Sequence, residues 1–303
     1  QSMGNRGNAQ SVALLKGRMA DADKAVAAAA VQALGKLATP EALAALKGAL
    51  GACPCVAEAY LNAAGKLAAS DPARAAACYA DLLAAKENVS PSTHLAALRG
   101  QIAAGGADGL KLWGEALASA DPDTVNAALR AVLDVPKGEA ATLLFAAALA
   151  KVPAAQERLA LALGQRGDKA AVPALTALAK GEGAAAPASS LAAAAALATL
   201  NDPAALPPLL ALAKCADAAV ADAAKNEIMG FAGKAADDAV LVMMADADAA
   251  VRLSGIDMAL RRRMSVAVPS LVKLVGDADA KVQEAAVKGL GDLGTDREIP
   301  ALL

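Results

Sequence analysis

Residues 246–294 read DADAAVRLSGIDMALRRRMSVAVPSLVKLVGDADAKVQEAAVKGLGDLG. Two Asp-Ala-Asp turns, Asp246 to Asp248 and Asp277 to Asp279, are each followed at the same offset by a valine, Val251 and Val282. Between them a proline, Pro269, opens an apolar run at helical spacing. A proline costs nothing at the first helical position, where its missing N–H has no partner to lose. A carboxylate just ahead of a helix accepts from the orphan amides and faces the positive end of the dipole. The segment therefore reads as helix, turn, capped helix, twice over.

The same grammar recurs outward. Asp21 to Asp23 precedes Val26, and Pro173 and Pro300 open further apolar runs. Turns after a second helix fall near Gly35, Gly65, Gly105, Val135, Gly164, Leu200, Gly233, Arg263 and Gly294. That spacing of roughly 30 to 40 residues is a repeat signature, and nine helix pairs fit the chain. The three valines are expected to point inward. The glycines of Ala33-Leu34-Gly35-Lys36-Leu37 and Gly289-Leu290-Gly291-Asp292-Leu293 are expected to let the chain turn.

Composition agrees. The 303 residues are 57% hydrophobic, 2% aromatic and about 30% alanine. An all-β chain needs many more β-branched and aromatic residues, and a disordered one fewer apolar residues. Alanine combines the best helix propensity with a side chain small enough for close stacking of pairs. The expected fold is all-α, a right-handed alpha-alpha superhelix of about nine pairs, each covering its neighbour's apolar face.

These residues resemble the HEAT repeat, in particular the short bacterial variety of phycobilin-lyase-like proteins: Pro-x-Leu-x-x-Leu, then Asp-x-Asp-x-x-Val-Arg at Asp246 to Arg252, then Ala-Leu-Gly-x-Leu. The likeness is strongest over 8–50 and 160–303; over 53–158 only period and helix pairing support it. It implies a solenoid whose second helices line a concave surface. The family's second-helix arginine appears only as Arg252. Ala27, Gln283 and Asn126 occupy comparable places, so no continuous Asp–Arg ladder is expected.

Gln1-Ser2-Met3 reads as a linker remnant followed by a cloning methionine, leaving 4–303 as one solenoid. Because Pro300-Ala301-Leu302-Leu303 opens another first helix and stops, further sequence is expected beyond it. No signal peptide is visible, and the compartment and oligomeric state are not encoded. The uncharged stretch from Gly183 to Asn201 is mostly alanine, with Pro187, Ser189 and Ser190, and reads as a soluble helix rather than a membrane span.

Chemistry is sparse. Net charge is −2, which argues against a phosphate-tracking groove. Trp113, Tyr60, Tyr79, Phe145 and Phe231 are too scattered to stack bases. His94 reads as an exposed first-turn residue and Trp113 as core. Cys53-Pro54-Cys55 with Cys78 and His94 has the wrong gap for a tetrahedral metal site. A Cys55–Cys78 disulfide across adjacent helices is the other option, and the preferred reading is small buried hydrophobes. Gly289 to Gly294 matches a dinucleotide-binding pattern by letter, yet it falls on a helix end without the preceding strand that motif needs.

The candidate binding residues are Asn126 and Arg130, one turn apart and opposite the apolar face of Val125, Ala128, Leu129 and Val132, together with Arg252 and Arg261-Arg262-Arg263. The expected function is a non-enzymatic scaffold holding a protein partner or an adjoining domain of the same chain, an accessory segment of a larger bacterial protein. No cofactor, catalytic residue, metal, membrane or nucleic-acid partner is expected. The two rival readings are a phycobilin-lyase-like, cofactor-handling enzyme subunit and a nucleic-acid-binding helical repeat.

Overall fold

The computed structural model describes residues 10–85, 87–181 and 186–295. The linker remnant at Gln1 to Met3 and the helix opening at Pro300 lie outside the described residues. Within them there are eighteen α-helices and no strand, so the all-α expectation is met.

The chain forms two compact units, Gln1–Lys137 and Gly138–Leu303. The first holds α1 (Gln10–Arg18), α2 (Lys24–Leu37), α3 (Pro40–Gly48), α4 (Pro54–Leu67), α5 (Pro72–Ala84), α6 (Pro91–Ala104), α7 (Gly106–Leu117) and α8 (Pro122–Asp134). The second holds α9 (Glu139–Ala148), α10 (Gln156–Arg166), α11 (Val172–Ala179), α12 (Pro187–Thr199), α13 (Leu206–Leu212), α14 (Ala218–Gly230), α15 (Lys234–Met244), α16 (Ala249–Arg261), α17 (Val268–Leu274) and α18 (Ala280–Leu293). Even-numbered helices end at the nine expected turns. Even helices also stack on one another: α2 on α4, α4 on α6, α6 on α8, then α10 on α12, α12 on α14, and α16 on α18. Each unit is thus a stack of helix pairs, four in the first and five in the second.

Local chemistry sets the helix starts. Asp23, Asp248 and Asp279 are N-caps whose carboxylates accept from amides of the first turn. The first aspartate of each turn accepts from the second's own N–H, Asp246 from Asp248 at 3.0 Å and Asp277 from Asp279 at 2.9 Å. In the first unit four further caps are X-Pro dipeptides. Thr39, Asp71, Ser90 and Asp121 each place an oxygen on the helix amides, with proline next.

The core runs along the seam between layers. Leu34, Leu46, Leu82 and Ile102 are fully buried in the first unit, and Phe145, Leu159, Leu163, Leu197 and Ile228 in the second. Each such side chain stabilises by about 1.5–3 kcal/mol relative to exposure. Trp113 is core as expected, its Nε1 donating to the Ala128 carbonyl at 3.0 Å. Val251 and Val282 point inward, but Val26 is 40% exposed. Among the described residues no helix precedes α1 and α2 to cover it.

Gly35 does not turn the chain. It lies inside α2, where an added Cβ would sit 2.6 Å from the Ala59 carbonyl oxygen of α4. Its role is close approach, and the left-handed turn is made by Ala38 at φ 52°. Gly164 does the same in the second unit, with Ala196 as its neighbour.

Candidate functional site

A groove of about 960 Å³ lies in the first unit, built by α5, α6 and α8. Its walls are helical stripes. Ser92, Leu95, Ala96, Arg99, Gly100, Ala103 and Ala104 face it from α6, and Asp123, Asn126, Ala127, Arg130 and Asp134 from α8. Five of these twelve wall residues are alanine or glycine, and their smallness helps to leave the volume open. Tyr79 of α5 forms part of the floor, and its ring occupies the place of a Gly100 Cβ, which would lie 2.4 Å from Cζ. Burial pushes the Tyr79 hydroxyl above the ordinary tyrosine range.

Charge in the groove is balanced. Arg99 binds both carboxylate oxygens of Asp134, Nη2 to Oδ1 at 2.8 Å, and that bond raises the pKa of the guanidinium. Asn126 is half-buried, and Arg130 is exposed one turn along. The two residues picked from the sequence thus share this groove; Tyr79, Arg99, Gly100 and Asp134 were not picked. Nothing local marked them, because the groove arises only where three separate helices are packed together.

The arginines of the second unit divide by role. Arg252, on α16, donates Nη2 to Asp277 of the next turn at 2.7 Å and Nη1 to the carbonyls of Asp246 and Ala247 at 2.8 Å. Its side chain is 13% exposed and that of Asp277 9%. The Arg252 bond, helped by the Asp279 amide, holds the Asp277 carboxyl below the usual range. Asp246 is lowered likewise, by Lys214 first and then by the Asp248 amide. The first aspartate of each of these two turns therefore takes a cation from the preceding pair. Where the ladder arginine is missing, Gln283 keeps half the arrangement, donating to the Asp277 carbonyl at 2.6 Å.

Arg261, Arg262 and Arg263 are not one patch. Arg261 pairs with Asp257 on its own exposed helix face. Arg262 turns inward, donating Nε and Nη2 to Asp237 and Nη1 to the Met229 and Phe231 carbonyls at the end of α14. Arg263 is exposed at φ 54°, where its N–H reaches Leu260 O and the following N–H of Met264 reaches Ala259 O. That is a left-handed helix stop in which glycine is the usual residue.

A buried network was missed altogether. Arg166, 3% exposed, ends α10, lies 5.4 Å over the Phe145 ring and donates Nε to Thr142 Oγ1 at 3.0 Å. Thr142 in turn donates to Asp168 at 2.7 Å. Desolvation lowers the Arg166 pKa, and the Thr142 bond lowers that of Asp168.

The cysteines need correction. Cys53 and Cys55 form a disulfide with Cα atoms 5.4 Å apart, so the pairing is not Cys55–Cys78, and of the three cysteines read as small buried hydrophobes only Cys78 is a buried free thiol. His94 is exposed in the first turn of α6, as expected. The Gly289 to Gly294 pattern lies on the end of α18, as expected. No helix among the described residues is long and apolar enough to cross a membrane.

Comparison with known proteins gives two family matches. A model described as HEAT repeats matches residues 1–59 and 236–303, and one described as PBS lyase HEAT-like repeat matches 155–181 and 191–215. No curated protein matches. Among solved structures, a Kap121p mutant aligns at 11% identity and TM-score 0.40, over 98% of this chain and 42% of that one. This chain therefore spans less than half of Kap121p's length there. The complex of CpcE and CpcF of phycocyanin lyase from Nostoc sp. PCC7120 aligns at 17% identity and TM-score 0.30, over 93% and 94% of the two chains. An engineered protein aligns at 18% identity and TM-score 0.22, over 93% and 96%.

Proposed function

We propose that this chain, which matches the HEAT-repeat model over residues 1–59 and 236–303 and the PBS lyase HEAT-like repeat over 155–181 and 191–215, is a non-enzymatic scaffold that seats a segment of a partner protein in the α5–α6–α8 groove. The observation that carries this is the composition of the groove: an apolar, alanine-lined floor crossed by two cations, Arg99 and Arg130, and two carboxylates, Asp123 and Asp134. Cancelling charges of this kind suit a polypeptide, which offers both signs and an amide backbone. An oligoanion would need a net positive field. The floor would take small apolar side chains, while Asn126 and Arg130 sit where they meet backbone carbonyls and carboxylates. Whether the nine pairs act as one continuous array over 4–303 is part of the same proposal.

Selection of peptides from a random library on the whole chain tests it. Arg130→Glu is expected to weaken the selected peptides about tenfold or more, as a central arginine contact does, and Arg261→Glu to leave them unchanged. Peptides indifferent to Arg130, or none selected, would refute the groove as the seat.

A further inference from the structure

The first unit holds a second, smaller concavity of about 550 Å³ between α2 and α4, lined by Lys36, Glu58, Asn62, Lys66 and Cys55. Cys55 belongs to the disulfide at the start of α4. Four sister helices of this unit begin with an oxygen-bearing residue and proline: Thr39-Pro40, Asp71-Pro72, Ser90-Pro91 and Asp121-Pro122. In each, the side-chain oxygen accepts from an amide of the first turn. Cys53-Pro54 has the same backbone position with sulfur in place of oxygen, and in the disulfide that sulfur makes no capping bond. The slot is built for an acceptor that the oxidised form does not supply.

We propose that Cys53-Pro54-Cys55 is a dithiol–disulfide exchange centre, whose substrate is a dithiol entering the α2–α4 concavity. The arrangement also fixes which sulfur does what. The incoming thiolate attacks Sγ of Cys55, the cysteine of the pair that lines the concavity, and forms a mixed disulfide there. Cys53 leaves with the electron pair of the broken S–S bond. As a thiolate at the N-cap it takes the amides and the dipole of α4, the setting that depresses a cysteine pKa, and a better-stabilised thiolate leaves faster. The second substrate thiolate then attacks its own sulfur in the mixed disulfide and expels Cys55, which takes up a proton. The substrate ends as a disulfide and the protein as two thiols, a two-electron exchange with nothing left over. Lys36 and Lys66, against the single carboxylate of Glu58, favour an approaching anion. A purely structural role explains the bond poorly, because cross-linking residues two apart removes little freedom from the unfolded chain.

The test uses the whole chain and peptide mapping by mass spectrometry, which separates these two cysteines from Cys78 and Cys215. Equilibration of the folded protein with reduced and oxidised dithiothreitol, and separately with a peptide bearing two cysteines, is expected to convert Cys53 and Cys55 together between bonded and free. Conversion by either probe supports the proposal and shows which source of dithiol fits. In Cys55→Ser the alkylation rate of Cys53 is expected to follow a pKa at least one unit below the ordinary thiol, about tenfold more thiolate at neutral pH. In Cys53→Ser, oxidised glutathione is expected to load Cys55. Reduction that occurs only after unfolding in urea, or a Cys53 that titrates like a free cysteine, would overturn it.

Discussion

Replacing Gly35 by alanine sets two opposed effects against each other at one atom. Alanine in a helix interior gains about 1 kcal/mol over glycine. At position 35 the new Cβ would stand 2.6 Å from the Ala59 carbonyl oxygen and 3.1 Å from its carbonyl carbon and Cα. Those are backbone atoms of α4, so no side-chain rotation relieves the clash, and α2 would have to back away by roughly half an ångström or more from contact distances near 3.5 Å. Overpacking of this kind costs about 1–3 kcal/mol. The net expectation is a loss of up to about 2 kcal/mol. Gly114, in α7 of the same unit, has no atom within 4 Å of its added Cβ, so Gly114→Ala is expected to gain up to about 1 kcal/mol. Urea unfolding followed by far-ultraviolet circular dichroism measures both variants, and a spread of about 1–3 kcal/mol between them, the overpacking cost that only Gly35→Ala incurs, is expected. Equal stabilities would mean that α2 and α4 do not meet as closely as described, and the account of alanine and glycine as spacing devices would fail with it.

Arg166→Ala removes a buried guanidinium from over the Phe145 ring and from the Thr142 hydroxyl, and is expected to cost about 1–3 kcal/mol, with Arg166→Met recovering part through packing; urea midpoints decide. The Thr176 hydroxyl is buried without a hydrogen-bond partner, so Thr176→Val is expected to raise stability by about 1 kcal/mol, read as a rise in melting temperature. The carboxyls of Asp168, Asp246 and Asp277 are depressed in the folded state. Their contribution is present above the unfolded carboxylate pKa of about 3.9 and lost as pH falls through the lower folded values. Unfolding midpoints are expected to be flat from neutral pH down to about 4 and to drop below it, and Asp277→Asn is expected to shallow that drop. A scaffold without bilin chemistry is expected to leave the visible absorbance of an added tetrapyrrole unchanged. The same protein should flow through heparin at about 100 mM salt, and retention would favour a nucleic-acid role.

What could be read from the sequence was local. Asp-Ala-Asp turns, prolines at helix starts and the repeat period are short-range signals, and they placed all nine second helices. Even so, the X-Pro caps of Asp71, Ser90 and Asp121, which continue the series begun at Thr39, run through the very stretch in which the repeats looked degenerate, and reading them as one series would have exposed Cys53 as the odd member. Gly35 was misread because a glycine near a helix end has two uses, turning and close approach, and only the neighbouring helix distinguishes them. Arg262 read as a candidate binding residue and Arg166 drew no notice, because the acceptors they meet, Asp237 and Thr142, lie some 25 residues away. Groove residues share that difficulty: Asn126 and Arg130 stand out on one helix, while Tyr79 and Gly100 matter only as a pair.

The capping prolines of the first unit also restrict how that unit could change length. An extended residue followed by proline cannot be drawn into a helix, since the ring disfavours helical backbone just before it. An extra residue inserted within α6 therefore could not be accommodated by sliding the start back past Ser90. It would have to bulge outward or rotate everything downstream by about 100°, carrying Arg99 off Asp134. Length variation among relatives of this chain should accordingly collect in the turns, and insertions engineered there should be the ones tolerated.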